Sequence, residues 1–258
     1  MEEIVSEKSV AYDVVPLRLA IRSMRDNGYK NASYAIAELV DNSVQAGANT
    51  IEIICKEEDE FIHQRRRSRV REIAVIDNGC GMNTTVLRRA LQFGVGERLN
   101  DRSGIGRFGM GLPNSSISQA RRVDVWSWQN SVYTSAIHTY LDLDEIEAGL
   151  LREIPDPKTR KIPSEWRSIS SVMSKAPSGT IVIWSKLDKC DWRTALAIFR
   201  NSEYTIGRIY RRFLENDNVE IRMAAFSSGS MTPNFDENAK PNCPGSRYSP
   251  TFSRLGSW

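Results

Sequence analysis

The chain has 258 residues, a formal net charge of +3, four cysteines and two histidines. A net charge this small does not by itself indicate nucleic-acid binding. The cysteines are far apart, which indicates a reducing compartment and disfavours a disulfide framework. With only two histidines, a His/Cys zinc site is also disfavoured. No apolar run reaches the roughly 18 residues of a membrane span, and the acidic, polar N-terminus does not resemble a secretory signal peptide. We therefore expect a globular protein of the cytoplasm, or of the nucleus if the source is eukaryotic.

Apolar periodicity predicts helices and strands in an order that lacks strict βαβ alternation. Helices are expected near residues 14–28, 32–45, 84–94, 115–120 and 192–214. Strands are expected near residues 49–55, 69–77, 122–128, 131–143, 179–187 and 218–226. This order favours an α+β layer fold over a doubly wound parallel sheet.

The composition of the chain changes near residue 227. Residues 227–258 are rich in Ser, Asn, Gly and Pro and cannot bury much apolar surface. We expect residues 1–226 to form the globular domain. The remaining segment is expected to be an irregular tail, or a linker that leads to a second domain.

The stretch GIGRFGMG, Gly104–Gly111, contains the G-x-G-x-x-G pattern of dinucleotide-binding folds. That pattern should follow a hydrophobic strand, but the preceding residues, GERLNDRS, are polar and charged. The G-K-[ST] of a P-loop is also missing. The glycine density instead favours a backbone that approaches a ligand closely, with a following helix start that offers N–H groups to phosphate. Taken alone, the glycines also suit a flexible surface loop.

Two upstream motifs carry polar side chains that suit a nucleotide site. Glu38 and Asn42 are four residues apart on a predicted helix, so both project from one face. A carboxylate there can take a proton from water, and a carboxamide can offer an oxygen to Mg²⁺. Asp77 ends a predicted buried strand before Gly79 and Gly81, and it could accept a hydrogen bond from an exocyclic amine. The alternatives are a solvated helix face and an Asp-x-Gly turn.

In this order and spacing, the motifs resemble those of the GHKL ATPase superfamily, which includes DNA gyrase, the ninety-kilodalton heat-shock chaperones, histidine kinases and MutL. ELVDNSVQAGA looks like the N-box, DNGCGM like the first glycine box, GIGRFGMGLPNSSIS like the second glycine box, and SGTIVIW like the closing Gly-Thr motif. The resemblance covers roughly residues 31–187 and is nearest to the MORC and chaperone branch. It implies a two-layer α/β sandwich, the Bergerat fold, with a mixed, mostly antiparallel sheet and helices on one face.

The resemblance implies a role for each matching position. Glu38 would be the general base that activates the attacking water, and Asn42 would ligate Mg²⁺. Asp77 would bind the adenine amino group, supported by Thr180. The adenine pocket would also be lined by Gly79, Gly81 and Met82. A lid would be formed by about Gly94–Gly104. The phosphates would be bound beneath it by the backbone of Gly106, Arg107, Phe108, Gly109, Met110, Gly111 and Leu112.

The implied function is that of an ATP hydrolase, an Mg-ATP-binding domain that turns over slowly and acts as a conformational and dimerisation switch. An ATP-dependent homodimer is expected, with nucleic acid or a protein as client. Hydrolysing relatives usually have a second domain that supplies a lysine or arginine to the γ-phosphate, and no such domain is recognisable after Phe226.

The alternative is therefore a non-hydrolysing nucleotide-binding sensor or scaffold that recruits nucleic acid or protein partners. The arginine-rich run Arg65–Arg71 could serve such recruitment, but its place between two predicted strands favours a charged hairpin or loop.

Overall fold

The structure is a computed structural model that describes residues 16–63, 65–94, 110–130, 133–211, 214, 219–227 and 230–234. The helices are α1 (Leu17–Asp26), α2 (Ala32–Gln45), α3 (Thr84–Ala90), α4 (Gly111–Gln119), α5 (Leu143–Glu147), α6 (Ser164–Ile169) and α7 (Ala195–Ile209), with a 3₁₀ turn at Tyr133–Ser135. The strands are β1 (Thr50–Ile62), β2 (Arg65–Asp77), β3 (Ala120–Trp128), β4 (Ile137–Asp142), β5 (Lys158–Thr159), β6 (Gly179–Leu187), β7 (Glu220–Ser227) and β8 (Ser230–Asn234). Across these described ranges, no helix has both the length and the apolar character of a membrane span.

The described strands form one sheet in the order β5-β4-β3-β6-β2-β1-β7-β8. Neighbouring strands are antiparallel except for β1 and β7, which run parallel. A parallel pair needs a crossover connection, and α7 directly precedes β7 in the chain. The predicted α+β sandwich with a mixed, mostly antiparallel sheet is therefore confirmed.

The larger core lies between the sheet and the helices α1, α2, α4 and α7. Alternating strand residues such as Ile53, Val75 and Val125 point into this core, because successive side chains of a strand face opposite sides. In α2, buried Ile36 and Val40 meet them at helical spacing. The predicted helical layer is thus the one that forms the main core.

The opposite face of the sheet carries a second, smaller core beneath α6 and the turn that follows it. Trp166 of α6 is buried and meets Phe226 of β7 edge-on, with ring centroids 5.2 Å apart. Glu52 of β1 holds the following turn, because its buried carboxylate accepts hydrogen bonds from the hydroxyls of Ser170 (2.7 Å) and Ser171 (2.6 Å). The prediction has helices on one face of the sheet only, whereas in the structure α6 also packs on the opposite face.

The β1–β2 hairpin is longer than the apolar pattern predicts. Its outer part pairs an acidic strand with a basic strand, so that Glu58 lies opposite Arg69 and Glu60 opposite Arg67. Arg66 also forms an ion pair with Asp59. Opposite charges across a strand pair are favourable, so the run Arg65–Arg71 forms the charged hairpin that was the favoured interpretation.

The start of the segment predicted to be irregular is in fact a strand. Ser230–Asn234 forms β8 and pairs antiparallel with β7, with Ala225 opposite Asn234 and Ser227 opposite Ser230. The polar composition and Pro233 concealed it, since proline is tolerated on an edge strand and β8 is the outermost strand of the order. Residues 235–258 lie outside the described part of the chain.

A pair of glycine substitutions tests the close packing of the central strands. A Cβ at Gly179 would overlap the carbonyl oxygen of Asp77 and lie 2.6 Å from the Trp128 ring, whereas one at Gly207 in α7 would meet nothing. We expect Gly179→Ala to lower the free energy of unfolding by about 2 kcal/mol or more. Gly207→Ala should raise it by roughly 0.5–1 kcal/mol. Urea denaturation measures both, and an unchanged Gly179→Ala midpoint would contradict the packing described.

Candidate functional site

Asp77 ends the central strand β2 beneath the helical layer. The residue is 7% exposed, and its carboxylate accepts hydrogen bonds from the Gly79 backbone N–H (2.8 Å) and the Ser43 hydroxyl (3.1 Å). Ser43 belongs to α2, so this carboxylate connects the sheet to that helix. A carboxylate offers about four acceptor positions, which leaves room for a donor from a ligand.

The pKa of Asp77 is raised to about 6, chiefly because burial disfavours the charged form. The backbone N–H groups of Gly79 and Thr180 and the Ser43 hydroxyl act in the opposite direction. The carboxyl is therefore mostly ionised at pH 7, but it takes up a proton in mildly acidic solution.

The turn after Asp77 is shaped by a glycine in the left-handed region. Gly81 has φ +66°, and a Cβ there would overlap the carbonyl oxygen of Trp128 in β3. The next residue, Met82, donates its backbone N–H to the Ser127 hydroxyl at 2.8 Å. The turn is thereby held against the end of β3.

Ser127 also brings Thr180 to the same place. Its hydroxyl lies 3.0 Å from Thr180 Oγ1 and donates to the Gly179 carbonyl at 3.0 Å. Thr180 is the register partner of Asp77 across the β2–β6 pair. The structure therefore brings together the predicted residues Asp77, Gly79, Gly81, Met82 and Thr180, and adds Ser43 and Ser127.

Glu38 lies at the other end of the site, on α2. Its carboxylate reaches the start of α4, where a Cβ added to Gly111 would overlap Glu38 Oε1. The first N–H groups of a helix have no partner within it, so the start of α4 presents donors and a positive dipole end. The helix begins at Gly111, before the predicted start at residue 115, because proline is tolerated in a first helical turn and Pro113 lies there.

The pKa of Glu38 is raised, mainly by burial and further by the neighbouring Asp41 carboxylate, while the Tyr29 hydroxyl lowers it. The pKa of Asp41 is raised as well, mainly by burial, and the Tyr210 hydroxyl opposes that shift. These tyrosines come from either side of α2 in the sequence, and neither was predicted to belong to the site.

Asn42 lies one helical turn after Glu38. Its Nδ2 atom is buried and has no hydrogen-bond partner within the described chain, and the same holds for Oδ1 of Asn114 in α4. Leaving a buried amide unpaired costs about 1–3 kcal/mol, so these groups suit a ligand that pairs them. The unpaired Nδ2 of Asn42 is a hydrogen-bond donor, so an acceptor on a ligand would satisfy it, whereas a Mg²⁺ ion would be bound by the carboxamide oxygen.

Several predicted phosphate-binding residues can be placed. Met110 precedes α4, and Gly111 and Leu112 form its first residues. The other predicted residues of this loop lie outside the described part of the chain, namely Gly106, Arg107, Phe108 and Gly109. Of the predicted lid, Gly94–Gly104, only Gly94 is described.

A stability measurement tests the buried state of Asp77. Because the folded pKa of Asp77, about 6, lies above the ordinary aspartate value of 3.8, the folded chain binds an extra proton between these two pH values. The free energy of unfolding therefore falls as pH rises across this window. Asp77→Asn removes the titration, so the variant should gain up to about 3 kcal/mol over the wild type between pH 4 and pH 7. A pH-independent difference in urea denaturation would contradict the raised pKa.

Part of the chain matches a known protein family. Residues 29–180 match the family described as histidine kinase-, DNA gyrase B- and HSP90-like ATPase. The match spans more than half of the chain, and the chain belongs to this family, the GHKL ATPase superfamily, whose members bind ATP.

One similar solved structure is titled as the crystal structure of the N terminal domain of a DNA repair protein. It is 18% identical to this chain, with a TM-score of 0.49. The alignment covers 83% of this chain and 54% of that chain, so this chain spans about half of that protein's length. No curated protein matches the chain. The nearness to the MORC and chaperone branch stays a prediction.

Proposed function

We propose that the chain is an Mg-ATP-binding domain that hydrolyses ATP slowly and acts as a nucleotide-dependent conformational and dimerisation switch. The observation that carries this proposal is a pair of carboxylates that α2 contacts or carries, the buried Asp77 and the half-buried Glu38. Asp77, bound by Ser43, keeps acceptor capacity for a base, and Glu38 lies against the start of α4, where a phosphate would be bound.

The adenine end is the pocket around Asp77. Its carboxylate would accept a hydrogen bond from the exocyclic amine, because the donors from Gly79 and Ser43 leave lone pairs free. Thr180 lies beside it and would support the ring through its hydroxyl or a water. The turn at Gly79, Gly81 and Met82 would line the base beside Asp77.

The phosphate end is the start of α4. Backbone N–H groups near Met110, Gly111 and Leu112 would face the phosphates, together with Gly106, Arg107, Phe108 and Gly109 before them. Asn42 would hold Mg²⁺ through its carboxamide oxygen. When bound, this ion would neutralise charge on the triphosphate oxygens.

Glu38 would act as the general base in hydrolysis. A raised pKa makes a carboxylate a better acceptor for the proton of water, provided that it remains ionised at working pH. As the water oxygen attacks the γ-phosphorus, its proton would pass to Glu38 and the bond to the leaving ADP oxygen would break. The start of α4 would stabilise the growing negative charge.

One observation favours the second candidate, a non-hydrolysing sensor or scaffold that recruits nucleic acid or protein. Within the described residues, no lysine or arginine is among the groups that shift the pKa of Glu38 or Asp41. Hydrolysing sites usually place a cation on the transferred phosphoryl group. A second domain or a partner subunit would supply it in the leading proposal.

Substitution of the proposed base separates the two candidates. We expect Glu38→Gln to bind ATP with an affinity within about three-fold of the wild type and to hydrolyse it at least about 100-fold more slowly. The control is Glu153→Gln, on an exposed carboxylate away from the site. Calorimetry measures binding, and a sensitive phosphate assay measures turnover. Equal hydrolysis in both variants would exclude Glu38 as the base.

Recognition of the adenine ring is tested at Asp77. Asp77→Asn loses a charge-assisted acceptor, and we expect a ten-fold or larger loss of ATP affinity at pH 8, since such bonds contribute roughly 1.5–3 kcal/mol. The wild-type affinity should also fall as the pH drops below about 6, where Asp77 takes up a proton. The variant should lack this part of the pH dependence. Unaltered affinity in calorimetry would refute the adenine assignment.

A further inference from the structure

The outer part of the β1–β2 hairpin extends beyond the rest of the sheet. Strand β1 pairs with β7 only as far as Glu57, and β2 pairs with β6 only from Ile73 onward. Farther out, among the described strands, β1 and β2 pair with each other alone. Residues 58–62 and 65–69 thus form a two-stranded ribbon that, at about 3.4 Å per residue, projects by roughly 17 Å.

The base of this ribbon is held by the segment that leads into α7. The backbone N–H of Val70 donates to the carbonyl oxygen of Arg193 at 2.9 Å. The carboxylate of Glu57 accepts a hydrogen bond from the backbone N–H of Ala195, the first residue of α7, at 2.8 Å. Because the base is anchored on both strands, the outer end of the ribbon is presented at a defined place on the surface.

The acidic side chains of the ribbon are already paired. Asp59 forms an ion pair with Arg66. Glu58 lies 3.4 Å from the guanidinium of Arg71, which also forms an ion pair with Glu60. Each of these carboxylates therefore has a cation beside it, and the acidic strand is neutralised within the hairpin.

The end of the ribbon carries cations that have no such partner. Arg65 and Arg67 are exposed, and neither forms an ion pair or a hydrogen bond with the rest of the described chain. Arg67 lies opposite Glu60, but the carboxylate of Glu60 is bound by Arg71. The two free arginines are two residues apart on one strand, so they project from the same face. Phe61, at the end of the other strand, is 79% exposed.

We propose that the end of the ribbon binds double-stranded DNA, with Arg65 and Arg67 on backbone phosphates and Phe61 against sugars or base edges. A projecting two-stranded ribbon needs a concave partner, and the major groove, about 12 Å wide, admits one. The guanidinium group binds phosphate through two parallel hydrogen bonds. The small net charge of the chain does not oppose this contact, because the excess of positive charge is local. This inference goes beyond the proposed function, since it requires neither ATP nor hydrolysis.

The double variant Arg65→Ala/Arg67→Ala tests the phosphate contacts. Fluorescence anisotropy of a labelled duplex of mixed sequence measures binding to the full chain without nucleotide. We expect the affinity to fall about ten-fold or more, and the slope of log K against log salt concentration to shrink by about 1.8, since each phosphate contact contributes roughly 0.9. Phe61→Ala should weaken binding about three-fold with an unchanged slope, because a phenyl ring displaces no counterions.

Arg160→Ala/Lys161→Ala is the matched control, because it removes the same charge from two exposed residues that follow β5, the strand at one edge of the sheet. It should keep the affinity within about two-fold and leave the salt slope unchanged. The urea midpoint of Arg65→Ala/Arg67→Ala should equal that of the wild type, since both side chains are exposed and unpaired. Equal losses in the two double variants would overturn the proposal. So would tighter binding of the wild type to a single strand of the same length, or to a polyglutamate peptide that represents an acidic protein partner.

Discussion

The Asp77 carboxylate joins the two layers of the molecule. It lies at the end of the central strand β2 and accepts hydrogen bonds from the turn at Gly79 and from Ser43 of α2. If α2 shifted along the sheet, the buried carboxylate would lose the Ser43 donor and keep only the backbone N–H groups of Gly79 and Thr180. The position of α2 sets where Glu38 and Asn42 project, so this contact and the apolar packing of α2 together arrange the site.

Several groups at the site are expected to lower the free energy of unfolding. Asp77 stays ionised at neutral pH although burial disfavours its charge, and the amides of Asn42 and Asn114 each have a buried atom without a partner. Away from the site, the buried carboxylate of Glu52 is instead satisfied by two serine hydroxyls. The unpaired Nδ2 of Asn42 belongs to the same helix as Glu38, where an acceptor on a ligand would satisfy it.

Local features of the chain were sufficient to predict the sandwich and the positions of Glu38, Asn42 and Asp77. Helical spacing places two side chains on one face, and a buried strand that ends before glycines places its last side chain at the edge of the sheet. Contacts between distant residues could not be predicted in this way. Ser43 meets Asp77 across 34 residues and Ser127 meets Gly179 across 52, and serine has no local signature for either contact.

The short elements were missed for a related physical reason. Strand β8 and helix α6 are short and polar, so their formation depends on tertiary partners, β7 for the former and the second core for the latter. For Ser127 alone a signal existed, since period-two alternation puts it on the same face as Val125, toward the helices. Tyr29 lies in a connection, where periodicity predicts no facing direction.

Glu38 and Asp77 show how one physical effect can serve two roles. Burial raises the pKa of both carboxyls, but their neighbours differ. Asp77 is bound by backbone N–H groups and a serine that cannot move away, which suits a permanent acceptor for a base. Glu38 is half-buried and lies against the first residue of α4, which suits the proposed general base. Glu38 and Ser43, which binds Asp77, both belong to α2 and are separated by about 7.5 Å along its axis. In the proposed function, a shift of α2 at the adenine end would therefore also move the proposed base.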